Sequence, residues 1–330
     1  MDLFAVPPAP DAAPLAERVR PATLGEFVGQ EHLLGPGKPL RVLIEGDRIV
    51  SMIFWGPPGT GKTTLARIIA RHTKSEFFQL NAVSSGVKDV REVIERAQVN
   101  RARLGRGTVL FIDEIHRLSK VVEEFLYPAM ENSQIDFVID KGPYARTIKF
   151  NLKRFTLVGA TTRSGLLGAP LRSRFGIIHH FDFYKEEDLA EIIRRSALLL
   201  GISVDDSAAL EIARRARGTP RVANRLLRRV RDYAQVKGSP GITRAIADEA
   251  LSALGIDAEG LDEIDRKVLG VIVGTYNGGP VGIETLAATL NEEPDTIMDT
   301  IEPFLLKAGF LKRTARGREV TERGRKHLRP

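Results

Sequence analysis

The segment IFWGPPGTGKTTLARIIA at residues 53–70 joins three patterns that together predict the architecture of the chain. Its apolar beginning is typical of a buried strand and its end of a helix, with a glycine-rich loop between them. In such a loop, backbone N–H groups surround phosphate oxygens, the lysine reaches the β- and γ-phosphates, and the next hydroxyl can ligate Mg²⁺. The helix adds the positive end of its dipole. We therefore predict a phosphate site that consists of Gly56, Gly59, Gly61, Lys62, Thr63 and Thr64.

A second apolar run, Val109 to Ile112, ends in two carboxylates, Asp113 and Glu114. Asp113 is placed to hold a metal ion, and Glu114 can polarise a water molecule against the γ-phosphate. Two core strands that merely end in polar loops are the alternative, but the joint occurrence of the two motifs favours an ATP hydrolase. We predict Lys62 and Glu114 as catalytic residues and Thr63 and Asp113 as Mg²⁺ ligands.

The composition is ordinary for a globular protein, and 330 residues suggest two or three domains. The absence of cysteine excludes disulfides, thiolate zinc sites and thiol catalysis, so we expect nucleotide-bound Mg²⁺ as the sole metal. No apolar stretch approaches the ~20 residues of a membrane span, and the first residues do not read as a signal peptide. We expect a cytoplasmic protein with a disordered Pro/Ala-rich tail over residues 1–14.

The positive charge is concentrated at one end of the chain. The formal net charge is +7, and residues 303–330, with nine basic and two acidic side chains, account for all of it. This concentration favours a polyanion-binding surface at that end, although a solvated basic tail is the alternative.

From Leu15 to Phe183, short apolar strands alternate with helical stretches, which predicts an open α/β parallel sheet with nucleotide at the carboxyl ends of its strands. The predicted strands are Met52–Trp55, Phe77–Leu80, Val109–Ile112 and Thr156–Gly159, and the predicted helices are Leu65–His72, Val87–Asn100 and Val121–Asn132. An inserted hairpin, with predicted strands at Gln134–Ile139 and Thr147–Leu152, interrupts the pattern. If it projects, its apolar tip would dock a partner, and if it lies flat it belongs to the core.

The rest of the chain predicts two smaller units. Residues 184–255 read as a small helical domain, with helices at Glu186–Leu200, Asp206–Arg215, Arg221–Lys237 and Thr243–Leu254. Residues 256–330 read as a winged helix, with helices at Asp262–Tyr276, Ile283–Leu290 and Asp295–Ala308 followed by a basic hairpin. Arginines of that hairpin would contact DNA phosphates without reading sequence, and a winged helix that contacts only proteins is the alternative.

Four further residues suggest a motor. Thr161 follows a strand that should adjoin the phosphate loop, where its hydroxyl could sense the γ-phosphate. Arg174 cannot easily reach its own subunit's phosphate, but in a ring it could enter the neighbour's site, where such arginines contribute ~10³ to 10⁵ in rate; a surface ion pair is the alternative. Arg221 opens a helix of the small domain, so that a closing lid could bring it onto the phosphates. Tyr184 could pack on adenine or be an ordinary core tyrosine.

Six segments carry a family resemblance: FIDEIHRL at 111–118, GATTR at 159–163, LRSRFG at 171–176, RGTPR at 217–221, GGPVG at 278–282 and RTARGR at 313–318. Together they resemble the RuvB family, the AAA+ motors of Holliday junction branch migration. The resemblance implies a large AAA+ α/β P-loop domain over residues 15–183, a small helical lid domain over 184–255 and a winged-helix DNA-binding domain over 256–330.

The resemblance also implies roles for individual residues. Arg174 would be the trans-acting arginine finger, Thr161 the first sensor and Arg221 the second. Val19, Arg20 and Tyr184 would form part of the adenine pocket. Arg313 and Arg318 would contact DNA, and the basic hairpin adds Arg316 to this DNA contact. The RuvA partner would dock on the hairpin at 134–152.

The first hundred residues look more like a related family, the RarA ATPases of stalled replication forks, on FVGQEHL at 27–33 and SGVKDVREV at 85–93. The chain therefore reads as a mosaic, natural or constructed. Our leading hypothesis is an ATP-driven hexameric ring that pulls duplex DNA through its centre during branch migration. The alternatives are a RarA-like fork-remodelling ATPase and a nucleotide-gated winged-helix switch, although a switch needs neither Glu114 nor Arg174.

Overall fold

The structure is a computed structural model that describes residues 15–132, 134–139, 146–151 and 155–328. The predicted disordered tail, residues 1–14, lies outside the described residues. Up to residue 182 the helices and strands are, in chain order, α1 (Leu15–Arg18), α2 (Glu31–Leu34), α3 (Pro39–Glu45), β1 (Met52–Trp55), α4 (Lys62–His72), β2 (Glu76–Asn81), α5 (Val87–Leu104), β3 (Thr108–Asp113), α6 (Lys120–Asn132), β4 (Gln134–Ile139), β5 (Arg146–Asn151), β6 (Thr156–Thr161), α7 (Ala169–Ser173) and β7 (Ile177–His180).

Five of these strands form one parallel sheet in the order β2-β3-β6-β1-β7. The predicted α/β parallel sheet and its four predicted strands are confirmed. Sequence reasoning missed β7, because two of its four residues are histidines that hide the apolar pattern. The apolar residues of β1, β3 and β6 are buried, and α4 packs its apolar side into the same core. Burial on both faces is what the short continuous apolar runs require.

The strand order brings three loops side by side. β6 lies between β3 and β1, with Ile112 beside Gly159 and Trp55 beside Thr161. Since the strands are parallel, the residues that follow β1, β3 and β6 all leave the same edge of the sheet, which is where ligands bind in folds of this class.

The inserted hairpin is confirmed as an antiparallel pair. Its register runs from Gln134 beside Asn151 to Ile139 beside Arg146. The second strand is one residue out of step with the predicted Thr147–Leu152, and Leu152 and the predicted turn at 140–143 lie outside the described residues. The two interpretations of the hairpin, a docking tip and a part of the core, therefore remain predictions.

The remaining elements are α8 (Glu186–Leu199), α9 (Asp206–Arg214), α10 (Pro220–Val236), α11 (Arg244–Ala253), α12 (Glu263–Gly274), α13 (Ile283–Leu290), α14 (Pro294–Thr296), α15 (Glu302–Lys307), β8 (Leu311–Thr314), β9 (Gly317–Val320) and α16 (Glu322–His327). The four helices α8 to α11 enclose one apolar core, and α12 to α16 with the β8–β9 hairpin enclose another. The predicted helices of both regions are confirmed, and the observed helix ends lie within two residues of the predicted ends.

The third helix of the winged-helix region contains a wide turn. Between α14 and α15, residues Ile297–Ile301 form a π-helical turn, and Pro303 is the second residue of α15. Proline has no N–H group and its ring excludes the carbonyl one turn earlier, so the regular hydrogen-bond ladder cannot pass it. The predicted helix Asp295–Ala308 is thus one helix in outline with a local change of pitch.

The chain divides into two compact units. One contains residues 20–56 and 61–182, and the other contains the described residues of 1–19, the tip of the phosphate loop at 57–60, and residues 183–328. The lid and the winged-helix region therefore belong to the same unit.

Candidate active site and nucleic-acid interface

The phosphate loop is held in shape by its glycines and by its lysine. Gly56 has φ +145°, and a Cβ there would lie 2.2 Å from the carbonyl oxygen of Phe181, so no other residue fits. Lys62 is the first residue of α4, and its Nζ donates to the carbonyl of Gly56 at 2.9 Å while the residue is only 8% exposed. The predicted lysine therefore lies across the loop, at the positive end of a helix, where phosphate charge is stabilised.

Both predicted carboxylates lie at the end of β3. Asp113 is the last residue of the strand, and its carboxylate accepts the backbone N–H of Glu114 at 3.2 Å. Glu114 has φ +50°, a left-handed conformation that non-glycine residues adopt rarely and chiefly at functional sites. Its Oε2 lies 3.5 Å from the hydroxyl of Thr162 and 3.4 Å from Nδ1 of His116.

His116 connects the predicted base to the predicted sensor. Thr161 is buried at the end of β6, and its Oγ1 lies 2.8 Å from Nδ1 of His116, whose side chain is only 3% exposed. The same hydroxyl oxygen accepts the backbone N–H of Arg163 at 3.0 Å. Sequence reasoning gave His116 no role. The available signal was its position two residues after the predicted base, but the contact with Thr161 depends on the neighbouring strands β3 and β6.

The donor set fits Mg²⁺. Thr63 offers a hydroxyl in the first turn of α4, and Asp113 offers a carboxylate at the end of β3. Mg²⁺ prefers oxygen ligands and usually takes only one or two from protein, with phosphates and water supplying the rest. No cluster of three or more His, Cys, Asp or Glu side chains suitable for a metal occurs among the described residues.

Arg174 lies at the other end of the sheet. Its Nη2 is 2.8 Å from Oε1 of Glu131, its Nη1 donates to the carbonyl of Pro170 at 2.5 Å, and its Cζ lies 4.1 Å from the ring centroid of Tyr127. Burial and a hydrogen bond to Glu123 raise the pKa of Tyr127, so the ring beneath Arg174 is a neutral phenol. Arg174 lines a groove of about 1450 Å³ whose other walls include residues that precede the strands, among them Ser51, Ser75, Gly107 and Gly176.

Within the second compact unit, two predicted residues contact the tip of the phosphate loop at 57–60. The hydroxyl of the buried Tyr184 donates to the carbonyl of Thr60 at 3.1 Å, and the backbone N–H of Arg221 donates to the carbonyl of Gly59 at 3.4 Å. Gly59 has φ +79°, and a Cβ there would lie 2.8 Å from Cβ of Arg221. Val19 is buried, and its carbonyl accepts from Arg195 at 3.4 Å. Arg20 begins the first unit and is partly buried.

The β8–β9 hairpin is the wing of the winged-helix region, and its arginines have different environments. Arg318 is 9% exposed, and its Nε and Nη2 donate to the two carboxylate oxygens of Glu302 at 3.0 and 3.1 Å. Arg313, whose side chain is 54% exposed, donates to the same two oxygens at 3.0 and 2.6 Å. Arg316 is exposed between β8 and β9. A phosphate could therefore reach Arg316 directly, whereas Arg318 would first have to leave Glu302.

None of the described helices is both long enough and apolar enough to cross a membrane.

Three family models match consecutive parts of the chain. They are the Holliday junction DNA helicase RuvB P-loop domain at residues 19–181, the RuvB AAA lid domain at 184–257 and the RuvB C-terminal winged helix domain at 258–329. The first match begins at residue 19, so it includes the part of the sequence that looks more like RarA.

Solved structures agree with these matches. The chain is 46% identical to the Thermotoga maritima RuvB Holliday junction branch migration motor, with a TM-score of 0.82 over 94% of this chain and 98% of that chain. Two point mutants of the Thermotoga protein match with the same identity and coverage and TM-scores of 0.84.

Proposed function

This chain belongs to the RuvB family of P-loop motor ATPases, and we propose that it assembles in the cytoplasm as a ring of six copies that drives Holliday junction branch migration. ATP hydrolysis would supply the energy, and duplex DNA would pass through the ring. The winged-helix domain would hold the DNA backbone, with Arg316 as an exposed cation of the hairpin. RuvA would dock on the β4–β5 hairpin.

Each residue of the phosphate site has a chemical task. Lys62 and the backbone N–H groups of the loop would neutralise the phosphate oxygens, and Thr63 and Asp113 would hold Mg²⁺, which would add charge stabilisation. Glu114 orients the attacking water, and the left-handed turn at this residue fixes where its carboxylate lies. Thr161 and Thr162 would sense the γ-phosphate, and His116 keeps Thr161 and Glu114 in a fixed relation.

The position of Arg174 carries the proposal of a ring. Lys62 and Glu114 follow the carboxyl ends of β1 and β3, whereas Arg174 lines a groove at the amino ends of the same sheet. A strand of six residues separates the two ends by ~20 Å, further than an arginine side chain reaches. A second copy must therefore present its Arg174 if an arginine from this position is to stabilise the transition state.

A complementation experiment tests this arrangement. Glu114→Gln and Arg174→Ala subunits are each expected to be inactive in ATP hydrolysis on duplex DNA. In a mixed ring, an Arg174→Ala subunit keeps its Glu114 and can receive the arginine of a Glu114→Gln neighbour, so mixing should restore part of the activity. Arg172→Ala, which changes an exposed arginine of α7 two residues before Arg174, is the matched control and should remain active alone. No recovery on mixing, or full activity of Arg174→Ala, would contradict action in trans.

The substrate is tested separately. Strand exchange on a synthetic four-way junction, with and without ATP, should proceed faster than remodelling of a gapped fork. The opposite preference would favour the RarA-like alternative. ATP-bound monomers that hydrolyse slowly in a single turnover and move no DNA would favour a nucleotide-gated switch.

A further inference from the structure

One loop of the lid contacts both the phosphate loop and the winged-helix region. It runs from Arg217, which follows α9, to Arg221 in the first turn of α10, and it begins with two left-handed residues, Arg217 at φ +57° and Gly218 at φ +70°. Arginine adopts this conformation only where its surroundings hold it there. The contacts of Arg217 therefore reveal what the loop is built around.

Arg217 is enclosed by the winged-helix region. Its Nη1 donates to Asp262 at 3.1 Å, its Nη2 donates to Asp265 at 2.9 Å, and its Cζ lies 4.7 Å from the ring centroid of Phe304. The arginine side chain is only 11% exposed. Asp262 and Asp265 form the capping box that begins α12, so their carboxylates are themselves fixed by backbone N–H groups.

Lys307 makes a second contact of the same kind. The Nζ of this α15 residue lies 4.5 Å from the ring centroid of Phe183, and burial lowers its pKa. Gly218 has φ +70°, a conformation that favours glycine, and a Cβ there would lie 2.3 Å from that Nζ, so the end of the lysine side chain packs directly against the loop. The winged-helix region thus contacts both left-handed residues of the loop.

The far end of the loop reaches the phosphate loop. The backbone N–H of Arg221 donates to Gly59 at 3.4 Å, and Tyr184 donates its hydroxyl to Thr60 and its backbone N–H to Gly218, the latter at 2.9 Å. Residues 57–60, the lid and the winged-helix region all belong to one compact unit. A continuous set of contacts therefore runs from the tip of the phosphate loop, through residues 217–221, to the start of α12.

We propose that Arg217 is a positioning residue that couples the loop at 217–221 to the winged-helix domain. When ATP displaces the lid, the winged-helix domain with its DNA-binding surface would then move together with the lid. The inference rests on the proposed function, because it concerns how hydrolysis becomes movement. Arg217 contacts no nucleotide in this scheme and acts only through Asp262 and Asp265.

The electrostatics make the contact sensitive to substitution. Burial raises the pKa of Asp265 to about 7, and the charge of Arg217 acts against this rise. Loss of the arginine charge would leave a buried carboxylate that binds a proton instead of a partner, and the two-point attachment of the loop would be lost. Asp265→Asn keeps the shape of the side chain and removes the charge, so it tests the same contact from the other side.

The experiment measures two rates in one preparation, DNA-stimulated ATP hydrolysis and strand exchange on a four-way junction. Arg217→Gln is expected to hydrolyse ATP within about twofold of the unmodified chain but to exchange strands at least tenfold more slowly. Asp265→Asn should change the ratio in the same direction, and Arg217→Lys should recover part of it. Arg194→Gln is the matched control, because it breaks an ion pair with Asp206 inside the lid at 3.2 Å and leaves the winged-helix contacts intact.

Each outcome decides the proposal. A purely structural role would lower both rates together, and an irrelevant contact would lower neither, and either result overturns it. If Arg217→Gln does not fold, the ratio measured for Asp265→Asn decides in its place. Failure of the proposed function is recognised separately, because the unmodified chain would then hydrolyse ATP without exchanging strands.

Discussion

The phosphate site and the wing both contain charged residues that the sequence singles out, but the two regions use charge differently. At the phosphate site, Lys62 and Glu114 lie at the edge of the sheet where ligands bind in folds of this class. In the wing, Arg313 and Arg318 are both bound to the buried carboxylate of Glu302. The number of basic side chains in a sequence therefore sets only an upper limit on the cations that a polyanion can contact. The structure shows which of these side chains are already paired with carboxylates.

Substitution of the predicted base should give the largest effect. Glu114→Gln removes the group that we propose orients the attacking water, and it should lower ATP hydrolysis by about 10² to 10⁴ while ATP binding persists. Phosphate release and equilibrium nucleotide binding measure the two quantities. Glu124→Gln, an exposed residue of α6, is the control and should hydrolyse normally. Hydrolysis by Glu114→Gln at half the normal rate would remove the basis for assigning chemistry to the carboxyl edge.

The wing should respond in stability. Glu302→Ala leaves two arginines without the carboxylate that binds them, and we expect the free energy of unfolding to fall by about 3–5 kcal/mol. Urea unfolding followed by circular dichroism measures the loss. Glu319→Ala breaks the more exposed pair with Lys312 and should cost no more than about 1 kcal/mol. Equal losses for both variants would mean that Glu302 is not the structural centre of the wing.

The contact between His116 and Thr161 predicts a smaller catalytic effect. His116→Asn should slow hydrolysis about tenfold by loosening Thr161 and Glu114, with little change in ATP affinity, because misplaced groups affect the rate more than binding. Single-turnover hydrolysis and nucleotide titration distinguish the two effects. A large loss of affinity with an unchanged rate would place His116 in binding instead.

The smallest expected effect is on DNA affinity and distinguishes two arginines of the wing. Arg316→Ala should lower the affinity for duplex DNA a few-fold and reduce the slope of log affinity against log salt by about 0.9, the value for one lost phosphate contact. Arg318→Ala should leave that slope unchanged if Arg318 stays on Glu302. Fluorescence anisotropy at several salt concentrations measures both. An equal change for Arg318→Ala would mean that this arginine leaves Glu302 when DNA binds.

The sequence pattern predicted those elements whose conformation depends on residues close together in the chain. The phosphate loop, the core strands and the lid helices follow from glycine spacing and apolar periodicity, and the structure has them within a few residues. The contact of His116 with Thr161 and the pairing of Arg318 with Glu302 could not be predicted in this way, because each joins residues that are separate in sequence. β7 was missed for a related reason, since its pairing with β1 and not its own composition identifies it as a strand.

The π-helical turn at Ile297–Ile301 changes which side chains share a face of this helix. A π turn accommodates one residue more than an α turn, and one residue rotates a side chain by about 100° around the axis. Residues before Ile297 and after Ile301 are thus out of phase with a single helical wheel. Grafting the segment onto a straight template would turn Glu302 away from the hairpin, and the two guanidinium groups would lose the anion that anchors them.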